Sequence, residues 1–354
     1  MRLKSPMHIA DPERAYADTD TGYIYSSRKN SNMVDCTRTR RLKAVMPIEN
    51  EESQQRLMGI PVIPANTIRG GIRRAATTTV LDVLAERGEL VPLDVYHCMR
   101  CGSHTGQPDK TPDIRVIERS QQHPFVGLLG GGPQMAKSAY VCEEAIAICE
   151  GTIEADLVPE QLSSLAPSKD MGNREPRLTT PVWFIHSDDV LDNKDSRISA
   201  VVENFPESVT DWFEKVEANQ QARKSERNEG GGDTKKQSIK SFLAHEVALP
   251  GVQMSTSFSV DTALIGEAGF GLFLSALAHY CQSPIGGWVR NGYGQLSVNA
   301  TCESDDGTNH LILKDNELNY SSEFVTRHLD AWAQRLDAIT AQELKDTYTL
   351  AKSA

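Results

Sequence analysis

The sequence predicts an α+β fold, and three observations indicate it. The expected elements follow one another in the order strand, helix, strand, excursion, strand, helix, strand, which is typical of a sheet with helices on one side. The clearest helix runs from about Thr67 to Arg87 and ends at Gly88, a common C-terminal signal. A strand is expected at VQMSTSFSV (252–260), which alternates in polarity. SAYVCEEAIAI (138–148) is compatible with a strand or a helix, and its β-favouring residues favour the strand.

The other segments are assigned from the same local signals. Residues 11–58 are polar with few apolar anchors, so we expect a long loop or insertion there. Residues 95–113 are rich in turn formers. A second long helix is expected from about Glu267 to Cys281, and one or two amphipathic helices are expected from Ser322 onward.

Composition indicates a soluble cytoplasmic protein. The chain has 354 residues, of which 39% are hydrophobic and 24% charged, as in ordinary globular proteins. No run approaches the roughly 18 apolar residues of a membrane span, and the N-terminus lacks the apolar core of a signal peptide. Seven cysteines at irregular spacing fit a reducing compartment better than a disulfide framework. We therefore expect no membrane association.

Charge is segregated along the chain despite the net charge of −11. Residues 36–48 and residues 56–81 contain basic side chains and no acidic ones, which permits a positive groove on an acidic body. Each of these two basic runs, taken alone, is equally compatible with an ordinary solvent-exposed face of the protein. The basic residues are Arg38, Arg40, Arg41 and Lys43 in the first run, and Arg56, Arg69, Arg73 and Arg74 in the second.

The stretch IPVIPANTIRGGIRRAA (60–76) joins a strand to the first long helix. We expect Asn66 or Thr67 to cap this helix, whose free N–H groups suit phosphate. Gly70 and Gly71 are expected in its first turn, where they let a ligand approach the backbone. Three arginines lie around them and are candidates for phosphate contacts: Arg69, Arg73 and Arg74. The alternative is close helix–sheet packing with exposed arginines.

A cluster of histidines and cysteines has part of a zinc pattern. Its members are His97, Cys98, Cys101 and His104. Zinc requires about four ligands, and adjacent His97 and Cys98 rarely bind one ion together. Cys142 and Cys149 complete a site only if the fold brings them near. We therefore expect structural thiols and no required cofactor, with zinc as the alternative.

Four stretches, in the same order, resemble the CRISPR-associated RAMP superfamily. The helix start at 60–76 is similar to a Pro-(polar)2-(apolar)-(basic)-Gly pattern of that superfamily. SPMHIA (5–10) is similar to the end of its first strand, and HEVALPGVQMSTSFSV (245–260) to the strand after its thumb insertion. IGGWVRNGYGQLSV (285–298) resembles its C-terminal glycine-rich loop. The length and insertions look like the Cas-seven-type backbone subunit, most like the type IV variety, with type I-D second.

This resemblance implies an architecture and a set of partners. The fold is a modified ferredoxin-like (RNA-recognition-motif) palm with thumb, web and helical insertions. The palm covers residues 1–177 and 249–354, and the thumb-like insertion covers 178–248. Copies of the subunit assemble into a helical filament along one guide RNA (crRNA) for antiviral defence. The implied partners are the guide, a complementary target DNA or RNA, neighbouring copies and the other subunits of the ribonucleoprotein.

Further RNA-binding residues are expected at three places. In the thumb, Leu178, Trp183 and Phe184 are candidates for wedging or stacking against bases, with core packing as the alternative. In the glycine-rich loop the candidates are Arg290, Asn291 and Tyr293, with a tight turn as the alternative. In LGGGPQMAK (129–137) they are Gln134 and Lys137.

Catalysis is the remaining functional question. In type III relatives an aspartate in the loop between the first strand and the first helix cuts bound target RNA, and Asp35 occupies a broadly comparable place. A lone aspartate is a poor metal site. We therefore expect a non-catalytic subunit, with a metal-dependent endoribonuclease using Asp35 as the alternative.

Overall fold

A computed structural model describes residues 1–29, 32–48, 51–102, 114–131, 136–168, 177–186 and 241–348, with isolated positions between 204 and 218. The expected α+β class is confirmed, because helices pack beside sheets with both antiparallel and parallel pairs, an arrangement compatible with a ferredoxin-like palm.

The elements of the described chain have the following bounds. The strands are β1 (Arg2–Leu3), β2 (Ala10–Asp18), β3 (Ile24–Tyr25), β4 (Met33–Thr39), β5 (Arg41–Ile48), β6 (Glu51–Ile63), β7 (Tyr140–Cys142), β8 (Ala145–Ala147), β9 (Thr179–His186), β10 (Ser241–Ala248), β11 (Met254–Ser255), β12 (Phe258–Val260), β13 (Leu296–Ser297), β14 (Ala300–Glu303), β15 (Asn309–Lys314) and β16 (Glu317–Leu318). The helices are α1 (Ala65–Glu86), α2 (Leu93–Cys101), α3 (Ile114–Gln121), α4 (Pro124–Leu129), α5 (Glu150–Glu154), α6 (Thr262–Gln282), α7 (Glu323–Ala338) and α8 (Ala341–Tyr348).

The chain divides into two compact units. The larger comprises Met1–Pro12, Arg38–Thr180 and Val247–Ala354, and the smaller comprises Glu13–Thr37 and Pro181–Glu246. The predicted thumb-like segment, 178–248, overlaps the second part of the smaller unit, and its identity as a thumb stays a prediction.

In the larger unit, helices cover short sheets around one hydrophobic core. The main sheet has the strand order β11-β8-β6-β5, and β5 and β6 form a long antiparallel hairpin that pairs Arg41 with Pro61. Smaller sheets pair β1 with β13, β12 with β7, and β15 with both β14 and β16. Helix α6 packs against α1, α4 and α7 and supplies much of the core, including Phe270, Leu272 and Leu274.

Helix α6 contains a longer apolar stretch than we expected from the sequence. Within the described residues, it is long and apolar enough to span a membrane by length and composition. However, 67% of its most apolar stretch is buried inside the protein, as in the core helix of a soluble protein. The helix is apolar because other helices surround it.

The smaller unit is built on one five-stranded sheet. Its strand order is β3-β2-β4-β10-β9, and β4 and β10 pair in parallel through Cys36 and Ala244. Small side chains form its core, namely Ala15, Ala17, Cys36 and Ala244, and Trp183 packs against them.

The expectation of an irregular region at 11–58 is wrong, because strands β2 to β6 occupy most of it. The buried face of β2 carries alanines, Ala15 and Ala17, so the alternation of large apolar side chains that signals a strand is weak. The turn-rich expectation for 95–113 is also wrong up to Cys101. Helix α2 runs there and buries Val95, Cys98 and Met99.

Three other expectations are confirmed. The helix predicted from Thr67 exists, although it begins at Ala65. The segment 138–148 does form strands, β7 and β8. The C-terminal region forms a pair of helices, α7 and α8.

Candidate nucleic-acid interface

Three of the four stretches that carry the family resemblance meet at residues 4–8. Met7 pairs with Ala248, the last residue of β10, and His8 pairs with Gly287, in the glycine-rich loop. The loop is held on this segment because the Gly294 N–H donates to the Pro6 carbonyl at 2.8 Å. The tertiary fold thus brings together stretches that lie far apart in sequence.

The glycine-rich loop, residues 286–294, leaves this anchor and reaches solvent. Arg290 and Asn291 are exposed, and Tyr293 is half-buried. Gly294 has a φ of +80°, and a Cβ there would lie 1.9 Å from the Ile285 carbonyl oxygen. The tight-turn explanation therefore holds for Gly294, while the polar side chains of the loop tip stay accessible.

Helix α1 begins differently from the prediction. Its N-cap is Pro64, and no side chain caps it, so neither Asn66 nor Thr67 has the expected capping role. The N–H groups of Thr67 and Ile68 donate to the Pro64 carbonyl. The helix starts at Ala65, which places the two glycines in its second turn rather than its first. The free N–H groups of the helix end therefore do not lie at the glycines.

The two glycines have different surroundings. A Cβ on Gly71 would lie 2.1 Å from Cε2 of Tyr280, on α6. A Cβ on Gly70 would meet only the Arg74 guanidinium, at 3.3 Å. Gly71 therefore serves the close packing of α1 on α6 rather than the approach of a ligand, which corrects the prediction, while Gly70 faces a movable side chain.

The three arginines around these glycines also differ. Arg73 is held inside the protein, where its guanidinium donates to the carbonyls of Leu129 and Gly130 at the end of α4. Burial lowers the pKa of Arg73, and the negative end of the α4 dipole compensates for that burial. Arg73 is thus a structural residue, contrary to the prediction.

Arg69 and Arg74 remain at the surface. Arg69 is half-buried, with its guanidinium 5.6 Å from the centre of the Tyr140 ring in a cation–π contact. Arg74 is exposed.

Arg100 is a further cation beside this surface that the sequence analysis missed. It donates to the Thr78 hydroxyl at 3.3 Å, one turn along α1 from Arg74. Helical periodicity in VYHCMR was the signal that could have revealed it, because Val95, Cys98 and Met99 repeat at helical spacing.

The first basic run is partly used within the protein. Arg40 lies 3.5 Å from the Asp11 carboxylate, and Arg41 donates to the Thr179 hydroxyl at 2.9 Å. Arg38 is half-buried, and the side chain of Lys43 lies outside the described residues. Residues 36–48 contain no acidic residue, but in the fold Asp11 lies beside Arg40. The negative charge of Asp11 weakens the positive groove that we expected there.

The residues predicted to stack against bases are buried or half-buried. Leu178 is 9% exposed and belongs to the main core, which corrects its assignment as a wedge. Trp183 and Phe184 are half-buried on β9, and the Phe184 ring packs edge-on against His245 with centroids 5.1 Å apart. Lys137 is exposed, and Gln134 lies outside the described residues.

The zinc hypothesis gains no support from the described chain. Among the described residues, no three His, Cys, Asp or Glu side chains gather as a metal site, and His104 lies outside them. Cys98 is buried while Cys101 is exposed, with its sulfur 3.9 Å from Nδ1 of His97.

The other cysteines behave as structural thiols. Burial raises the pKa of Cys142 to about 11 and that of Cys281 to about 12, so both are protonated near neutral pH. Cys149 is also buried.

Asp35 lies on a strand, β4, rather than in a loop, and its side chain is exposed. Metal-dependent cleavage usually needs several oxygen or nitrogen ligands around the ion, and no such group is found at Asp35 in the described part of the chain.

Comparisons with known proteins include a structural likeness. No protein-family model and no curated protein matches the chain. Among solved structures, a chain from a "Type IV-B CRISPR Complex" aligns with a TM-score of 0.40 and 14% identity, over 83% of this chain and 85% of that chain.

Proposed function

We propose that this chain is a guide-RNA-binding backbone subunit of a CRISPR interference complex. The observation that supports this best is the meeting of three family-like stretches at Met7 and His8, next to an exposed loop that carries Arg290 and Asn291. The three stretches lie far apart in the sequence, and their meeting beside exposed cationic side chains supports one shared site.

The binding surface in this proposal has two parts at one end of helix α6. Tyr280, in the last turn of α6, contacts Gly71 of α1, and the chain runs directly from there into the loop. Arg74 and Arg69 belong to the first part, and Arg290 belongs to the second. Cations and backbone amides grip phosphates without reading bases, so specificity comes from pairing between guide and target.

In this role the protein is a scaffold rather than a nuclease. It works in the cytoplasm with the guide, a complementary DNA or RNA, neighbouring copies of itself and other subunits of the complex. Cleavage through Asp35 would require further metal ligands beside its carboxylate, because a lone aspartate is a poor metal site.

Salt dependence of RNA binding tests the proposal. We expect the affinity for single-stranded RNA to fall as salt rises, with a log–log slope of about −0.7 for each phosphate contacted. Arg74→Ala and Arg290→Ala should each reduce the affinity for all sequences alike and reduce the slope by about 0.7.

The matched control is Arg327→Ala. Arg327 is also an exposed arginine of the larger unit, but it faces Glu267 at 3.3 Å. This variant removes the same charge and should leave RNA affinity nearly unchanged. Wild-type affinity that does not respond to salt would contradict the proposal, as would equal losses in all three variants.

A further inference from the structure

Trp288 has a backbone conformation that tryptophan rarely adopts. Its φ is +62°, in the left-handed region where Cβ crowds the backbone. The other described non-glycine residues with positive φ are aspartates and asparagines, which tolerate that region: Asp156, Asn204, Asp315 and Asn316. Trp288 therefore needs a different explanation.

The loop around Trp288 maintains this conformation. The Trp288 carbonyl accepts hydrogen bonds from the N–H groups of Asn291, at 2.8 Å, and Tyr293, at 3.4 Å. Gly287 donates to the His8 carbonyl at 2.8 Å, which ties the residue before Trp288 to the core of the larger unit. The unfavourable conformation is thus imposed by neighbours on both sides.

Trp288 is partly exposed to solvent. It is 38% exposed, and the neighbouring Val289 is 39% exposed. A glycine at this position would adopt this φ without the steric cost of a Cβ. Unfavourable conformations that persist at exposed positions are concentrated at functional sites.

We propose that Trp288 stacks on a base of single-stranded nucleic acid held on this loop. The inference rests on the proposed function, since it names the stacking residue of the same interface. An indole ring stacks on any nucleobase, so the contact tolerates every sequence. Arg290 and Asn291, both exposed and on the same loop, contact the backbone of the same strand.

The other tryptophan positions fit this role less well. Trp183 is half-buried and packs on the small core of its own sheet. Trp332 is 3% exposed in the main core. Among the described tryptophans, Trp288 is the most exposed residue.

The test measures binding of a short uridine-rich RNA and of an RNA of the same length with abasic positions, which keeps the phosphates. Wild type, Trp288→Gly and Trp288→Phe are compared. We expect Trp288→Gly to weaken binding of the normal RNA by about 5- to 150-fold. Trp288→Phe should retain most of the affinity.

The abasic RNA separates stacking from other effects. Wild type should bind it about as weakly as Trp288→Gly binds the normal RNA, and Trp288→Gly should lose little more. Tryptophan emission should also fall when wild type binds RNA, and fall much less for Trp288→Phe. Tyr320→Ala, which removes a 68% exposed aromatic outside the loop, is the control and should bind normally.

Several results would overturn this inference. If wild type binds RNA with the expected salt dependence while Trp288→Gly binds equally well, the stacking role fails and the proposed function stands. If Trp288→Gly weakens normal and abasic RNA equally, the ring does not stack. If the variant instead loses self-association without RNA, the residue belongs to a protein contact. If wild type binds no RNA at all, the proposed function itself fails.

Discussion

At the scale of single residues, neighbours along the chain have opposite roles. Gly70 and Gly71 are adjacent, yet only Gly71 contacts Tyr280. Arg73 and Arg74 are adjacent, yet Arg73 binds carbonyls inside the protein while Arg74 is exposed. On a helix, consecutive positions point about 100° apart, so one faces the core and the next faces solvent.

The two glycines provide a matched pair of substitutions. Gly71→Ala should lower the free energy of unfolding by about 1–3 kcal/mol, because its Cβ would overlap the Tyr280 ring. Gly70→Ala should instead be neutral or raise it by up to about 1 kcal/mol, because alanine favours a helix and the Arg74 side chain can move. Thermal and urea unfolding of both variants check this. Equal effects in the two variants would show that Gly71 has no special packing role.

At the scale of elements, helix α6 is approached closely from two sides. Gly71 of α1 contacts its Tyr280, and its own Gly271 lies under the backbone of α7. Small residues at these points let the helix axes come close, which increases the apolar surface buried between the helices.

Gly271→Ala should destabilise the protein more than Gly71→Ala does. Its Cβ would lie 2.0 Å from the carbonyl oxygen of His328, and a backbone atom in a helix cannot rotate away as a side chain can. We expect a loss on the order of 3 kcal/mol or more in the free energy of unfolding. Ser275→Ala, on the same helix, is the control and should have a much smaller effect. A small loss for Gly271→Ala would mean that α6 and α7 separate easily.

The start of α4 and the C-terminal helix α8 meet at a buried histidine. His123 caps α4 by accepting the Phe125 N–H at Nδ1, and its Nε2 lies 3.6 Å from the Glu343 carboxylate, which also binds Arg335. Burial lowers the pKa of His123 to about 4, because desolvation outweighs the attraction of Glu343. The imidazole is therefore neutral in the folded protein near pH 7.

This pKa makes stability depend on pH in one direction. Between pH 6.5 and about 4 the unfolded chain takes up a proton at His123 that the folded chain does not. The contribution of His123 is therefore complete above pH 6.5 and is lost as pH falls towards 4, by about 3 kcal/mol at most. Urea unfolding at pH 7 and pH 4.5 measures it. His123→Gln removes the titrating group and should show a smaller decrease; an equal decrease would assign the effect to other groups.

At the scale of the whole molecule, the protein is acidic overall and carries local cationic surface. The net charge is −11, while Arg74 and Arg290 are exposed on the larger unit. In the proposed function, copies of the protein bind side by side along one RNA strand. Each contact between adjacent copies then joins two different surfaces of the protein. Such head-to-tail contacts extend without closing when the rotation between copies does not form a ring.

Assembly on RNA should therefore grow with RNA length. In light scattering with RNAs of increasing length, the mass of the complex should rise in steps of one subunit together with its stretch of RNA. Without RNA the protein should be smaller and of one size. A closed ring of constant mass, whatever the RNA length, would contradict head-to-tail assembly.

Local sequence patterns were enough to predict the α+β class, the helix that ends before Gly88, the glycine-rich turn and amphipathic helical structure at the C-terminus, and they favoured strands at 138–148. These features depend on capping, periodicity and turn chemistry, which act over a few residues.

The surroundings of each side chain depend on the tertiary structure. It placed Tyr280 against Gly71, the α4 carbonyls against Arg73, Asp11 against Arg40, and the neighbours that hold Trp288 at positive φ. It also formed β2, β4 and β10 into one sheet, whose core of alanines and a cysteine carries little hydrophobic signal. The physical reason is that steric exclusion and charge pairing between distant segments depend on distances of a few ångströms, which local sequence patterns do not specify.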